Sequence, residues 1–182
     1  MINKFAAAFA ALALTAGAHA TAVVVNSAEQ ATDTSVSGTF SAPAAGTETL
    51  SFDLNGYNSL DGQNFYEDDF SLAINGTTVY VGTFDLGGGG ADVEYTNTIG
   101  ATYSQSGKTL SFTAPVALTA GSNTFTFSYV SLAAPTYAGF QGTGDEGWGV
   151  SNVAVVPEPA SLALMLAGLG IVGGLARRRR QA

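Results

Sequence analysis

Phe70-Ser71-Leu72-Ala73-Ile74, then Asn75-Gly76, then Thr77-Thr78-Val79-Tyr80-Val81, is the stretch that decides the fold. Apolar and polar residues alternate with a period of two. That period turns one face of a strand to a core and the other to water. Asn-Gly between two such runs favours a type I′ turn, because both residues tolerate positive φ, so the stretch predicts a β-hairpin. The same alternation recurs in Leu50–Leu54, Leu110–Thr113 and, most clearly, Phe125–Val130, and Val150–Val156 reads as a closing strand. Between them stand turn residues: Thr39–Gly46 as a small-residue connection containing Pro43, Gly87–Gly90 as a flexible loop, and Ala120–Asn123 as a turn. Gly107-Lys108-Thr109 lacks the upstream glycine of a phosphate-binding loop, since Thr102 stands there, and reads as a hairpin turn. Many short strands, glycine-rich turns and no helical periodicity predict an all-β, two-sheet, jelly-roll-like sandwich.

Outside this β region the chain changes character. Residues 1–20 carry Lys4, an apolar stretch from Phe5 to Ala16, and Ala18-His19-Ala20. A short apolar core followed by a small-x-small triplet is the pattern of a secretory signal peptide, with the mature chain starting at Thr21. At the other end, Pro157-Glu158-Pro159 precedes an uncharged run over 160–176 and then Arg177-Arg178-Arg179-Arg180. As a helix, about 17 residues span ~25 Å, the short end of what crosses a bilayer. The arginines are expected to stay cytoplasmic, which leaves the preceding domain outside. The expected division is a signal peptide over 1–20, a β-sandwich over 21–155 and a tail over 156–182.

This tail resembles the PEP-CTERM sorting signal. The resemblance implies export across the inner membrane of a Gram-negative bacterium, membrane attachment through the C-terminal helix before processing, and cutting by an exosortase near Pro157, Glu158 and Pro159. It further implies a final place at the cell surface or outside the cell, in an exopolysaccharide or biofilm setting. The function expected from it is structural or adhesive, with a carbohydrate-binding module without catalysis, or a small secreted glycosidase, as the alternatives.

Composition narrows the chemistry. The chain has no cysteine and one histidine, His19, which leaves with the signal peptide. Thiol catalysis, a serine–histidine triad and histidine or cysteine metal sites are thereby excluded from the mature domain. Of 14 acidic residues all but Glu158 lie in 21–155, where Lys108 is the only base. Such a domain repels nucleic acid. Two carboxylates suffice for glycoside hydrolysis, but with acids this abundant a pair carries little meaning, and no enzyme is expected.

Two segments are dense in oxygen ligands: Asp53 to Gly62 followed by Glu67-Asp68-Asp69, and Gly144 to Val153. Calcium takes six to eight oxygens, often from loops. Asp61, Asp68 or Asp69, Asp145 and Glu146 are therefore the candidate ligands of one structural Ca²⁺, with solvated turns as the plain alternative. Leu60-Asp61-Gly62, Asp69 to Gly76 and Asp145 to Val153 are similar to blocks found in a group of secreted PEP-CTERM domains. That similarity implies a carbohydrate-binding-module-like sandwich in which calcium joins the two acidic loops. Ser151 stands where that group often has aspartate. Trp148, the only tryptophan, is a candidate for stacking on sugar or for the core. Tyr57 is a second candidate ligand-binding aromatic, and Tyr66, Tyr137 and Phe140 are further loop aromatics. Extracellular polysaccharide and the exosortase are the expected partners.

Overall fold

The computed structural model describes residues 20–132 and 142–157. The signal peptide up to His19, Tyr137 and Phe140, Glu158 and Pro159, the expected helix 160–176 and the Arg177–Arg180 cluster lie outside the described residues. Eleven strands follow in chain order: β1 (Thr21–Ala22), β2 (Gln30–Ala31), β3 (Thr34–Ala42), β4 (Gly46–Gly56), β5 (Asp68–Ile74), β6 (Thr77–Thr83), β7 (Val93–Asn97), β8 (Thr102–Ser106), β9 (Thr109–Leu118), β10 (Gly121–Ser131) and β11 (Gly147–Pro157). They form two sheets, ordered β1-β11-β4-β9-β8, with β2 also on β11, and β3-β10-β5-β6-β7. All of these strand pairs are antiparallel. The chain passes from sheet to sheet at β2–β3, β3–β4, β4–β5, β7–β8, β9–β10 and β10–β11, as expected of a two-sheet sandwich.

Period-two patterning is what makes these strands. In β10, Phe125, Phe127 and Tyr129 are buried while the residues between them are not. β9 and β5 alternate in the same way. The inward residues meet as an aromatic core. Phe52 stacks on its cross-strand partner Phe112 (4.8 Å between centroids, 6° between planes) and meets Phe127 of the other sheet edge-on at 5.0 Å. Such offset and edge contacts add to the area that the rings bury.

The decisive hairpin forms as read. Asn75 and Gly76 have φ of 51° and 80°, both positive, between β5 and β6. The Asn75 side chain is itself structural: it accepts from Thr124 N at 2.8 Å and donates to Asn123 Oδ1 at 2.9 Å. Gly107 turns the β8–β9 hairpin at φ 60°.

Three expectations are corrected. Thr39–Ala42 is not connection but the end of β3, because Val36 and Ala42 still face the core; only 43–45 joins β3 to β4. Gly121 to Asn123 already belongs to β10, and Asn123 is buried with its side chain bonded to Thr119 N and O. Gly87–Gly90 is not a slack loop: Gly89 bridges to Asp61 and its N–H donates to Asp85 Oδ1 at 2.9 Å.

Candidate metal centre

β4 ends at Gly56 and releases a loop that returns at Asp68, the first residue of β5. The loop is held, not free. Gly62 N donates to Gly89 O at 2.8 Å, Gly88 N donates to Leu60 O at 3.1 Å, and Gln63 bridges to Ala91. Asp61 and Asp68 are tied to each other twice. Asp61 N donates to Asp68 Oδ2 at 2.9 Å, and Asp68 N donates to Asp61 O at 3.0 Å. Thr83 Oγ1 lies within hydrogen-bond distance of both carbonyls, 2.7 Å from Asp68 O and 3.1 Å from Asp61 O. The third acid arrives with β11: Glu146 stands immediately before Gly147, and Thr32 Oγ1 donates to its Oε2 at 3.1 Å.

A carboxylate oxygen from each of Asp61, Asp68 and Glu146 lies within 4.8 Å of the others, and all three residues are buried. The Asp68 side chain is 0% exposed and its Oδ1 has no hydrogen-bond partner. Ser131 Oγ, close enough to favour the charged forms of Asp68 and Glu146, makes no hydrogen bond of full geometry either. Burial is the largest influence on each acid. It pushes the Asp68 carboxyl up to about 7, against the Asp61 N–H, with the Glu146 and Asp61 charges adding to the rise. It pushes Glu146 up to about 7, against the Thr32 hydroxyl, with the Asp145 and Asp61 charges adding. Asp61 is raised by burial and by Asp85 and Asp145, and is opposed by the Asn64 amide. The only Lys or Arg among the described residues, Lys108, donates to Asn58 O instead.

Three buried carboxylates without a base among them are costly as anions. They are neutral, or they share a cation. The donors are all hard oxygens, which suit calcium or magnesium and not a metal that prefers sulfur or imidazole. The buried, unpartnered Asp68 Oδ1 is the atom that such a cation would satisfy. The residues present therefore fit a hard divalent ion. Gly88 completes the cradle, since a Cβ on it would overlap the Asp61 carboxylate.

Asp145 is at the rim. It lines an open cleft of about 290 Å³ together with Ser59, Asp61, Tyr66, Gly88 and Glu146, and its Oδ1 accepts from Ser59 Oγ at 3.0 Å. Asp69 is not with the other acids. It follows Asp68 in β5 and so turns to the opposite face, where burial and the Glu67 charge push it up to about 6.

Trp148 is no platform: it is 0% exposed, packs on Tyr129 at 5.8 Å and donates from Nε1 to Ala31 O at 2.8 Å. The core reading of Trp148 replaces the sugar-stacking one. Tyr57 is partly exposed, lies against Gly149, and is absent from the cleft lining. Phe65, which sequence reading passed over, is 89% exposed on the loop beside Tyr66.

No curated protein matches the chain by sequence. Among solved structures the sandwich is similar to a family 35 carbohydrate-binding module from an environmental isolate (15% identity, 80% of this chain and 83% of that one, TM-score 0.36). It is also similar to a CBM35 from Cellvibrio japonicus Abf62 (15%, 78% and 92%, 0.32) and to Xyl-CBM35 in complex with a glucuronic acid containing disaccharide (17%, 78% and 93%, 0.32). Residues 155–180 match the PEP-CTERM protein-sorting motif, and the chain therefore carries that sorting signal at its C-terminal end.

Proposed function

We propose that this is an exported protein, processed by an exosortase and delivered to the surface of a Gram-negative cell. Its mature β-sandwich serves there as a non-catalytic structural or adhesive module in a polysaccharide-rich matrix, folded around one Ca²⁺. The sorting motif at 155–180 carries the reading of location. The Asp61–Asp68–Glu146 trio supports the calcium, with Asp145 at the rim. A domain with neither imidazole nor thiol supports a role without catalysis. In producing cells the protein should be recovered without its C-terminal apolar segment. In cells lacking the exosortase it should stay full length at that end and bound to the membrane. Identical masses from the two strains would refute the sorting reading.

Geometry favours a second reading, carbohydrate binding. β11 spans 11 residues, roughly 33 Å at strand rise, from Gly147 beside Glu146 to Pro157 where the tail begins. The acidic cleft therefore sits at the Gly147 end of β11, opposite its Pro157 end. Phe65 and Tyr66 occupy a loop stiffened by Asn64, whose amide donates to Asp61 Oδ1 and whose Oδ1 accepts from Tyr66 N. An exposed aromatic on a pre-organised loop suits stacking on a sugar ring. Glycan-array binding abolished by Phe65→Ala, with the unfolding temperature unchanged, is the expected result. Binding that ignores the substitution removes this site.

A further inference from the structure

We infer that the protease acting on the sorting signal breaks no peptide bond upstream of Pro157, so that the mature domain keeps the whole of β11. The inference rests on the exosortase reading above. The matched motif begins at Val155, but β11 runs to Pro157, so the first three residues of the signal are also the last three of the sandwich.

Val155 has a strand on each side, opposite Thr21 of β1 and Leu50 of β4, and its side chain is 0% exposed. Val156 and Pro157 stay in register with Thr49 and Glu48. Proteases bind a substrate segment in extended form through its backbone edges, as an added strand does. Here β4 takes one edge along all three residues, and β1 takes the other at Val155. Reaching the Val155–Val156 or Val156–Pro157 bond requires the end of β11 to leave its sheet, and a strand end that carries a core side chain opens rarely. The recorded pairing of β11 with β4 ends at Pro157.

Thr21, the first residue after the expected signal-peptidase cut, is the residue opposite Val155. The two processing points thus flank a single strand pair, and trimming that removes Thr21 or Val155 removes part of it. When water is the nucleophile, the broken peptide bond leaves a carboxylate on the domain and an amine on the released segment.

The test is intact mass and C-terminal peptide sequencing of the protein from its producing cells. A product beginning at Thr21 and ending at Pro157 or later is expected, whether or not a group is attached to its last residue. A product ending at Val156 or earlier overturns the inference and leaves the exosortase reading standing. A chain that retains residues 160–180 overturns both. Limited digestion of the purified full chain in detergent with a non-specific protease tests the same protection without the exosortase. The resistant fragment is expected to contain Val155–Pro157, and one that stops short of Val155 contradicts the inference.

Discussion

Replacing Trp148 by alanine is expected to destabilise the domain by about 3–5 kcal/mol, the range for truncating a large buried aromatic. The side chain is fully buried at the start of β11, where it stands opposite Gln30 of β2 and Gly56 of β4. Its removal opens a cavity against Tyr129. It also removes the indole N–H that ties Ala31 O of β2 to β11, leaving that carbonyl only the Thr34 hydroxyl at 2.6 Å. Trp148→Phe separates the two effects. It keeps most of the volume and loses only the indole hydrogen bond, since Thr34 Oγ1 still donates to Ala31 O, for a loss of about 0.5–1.5 kcal/mol. Urea unfolding of the three proteins reads both values. A midpoint for Trp148→Ala within error of the parent means that the ring is not in the core. Because the residue is two positions from Glu146, any loss of ligand or metal binding in the alanine variant must be judged against its loss of fold.

The strands that could be read in advance are those whose alternation is written in large apolar residues. Phe125, Phe127 and Tyr129 in β10, Phe70, Leu72 and Ile74 in β5, and Leu110 and Phe112 in β9 all point inward as their parity requires. β8 (Thr102–Ser106) is exposed at every position, and only the Tyr103 ring packs inward, on Phe84 and Phe112, so no alternation marks it in the sequence. β3 alternates in serine, threonine and small residues, a contrast too weak to separate from a linker. Among the candidate ligands, parity alone separates Asp68 from Asp69. Asp68 shares the face of Phe70, and Asp69 cannot. Thr32 and Ser131 were not legible, because only the folded sheets bring them to Glu146 and Asp68. Gly88 was not legible for a different reason. A run of four glycines reads as freedom, whereas what this position needs is the absence of a Cβ beside Asp61. Exposure of Phe65 depends on where the loop bends and has no local signature.

In chelator, the unfolding temperature should fall as pH rises from about 4.5 to about 7.5, and added calcium should flatten that slope. Asp68 and Glu146 have ordinary values of 3.8 and 4.5, and in the fold each is pushed up to about 7, chiefly by burial. A carboxyl raised on folding binds its proton more tightly in the native state. Its contribution is therefore fully present below the unfolded value and is lost as pH climbs through the folded one. Moving one carboxyl from 3.8 to about 7 corresponds to about 4 kcal/mol at most, more than ten degrees for a domain of this size. Calcium competes with protons for the same oxygens. Its effect should be absent near pH 4.5 and full above about pH 7, where an ion at a hundred times its dissociation constant adds about 2.7 kcal/mol, roughly ten degrees. The remaining surface acids also repel one another as pH rises, so the comparison that isolates the trio is with Asp68→Asn. That variant loses both the calcium response and most of the chelator slope. Gly88→Ala, which displaces only the Asp61 carboxylate, loses the calcium response and keeps the slope. Parallel pH profiles with and without calcium in the parent protein would leave the three acids as a protonated cluster, with no metal between them.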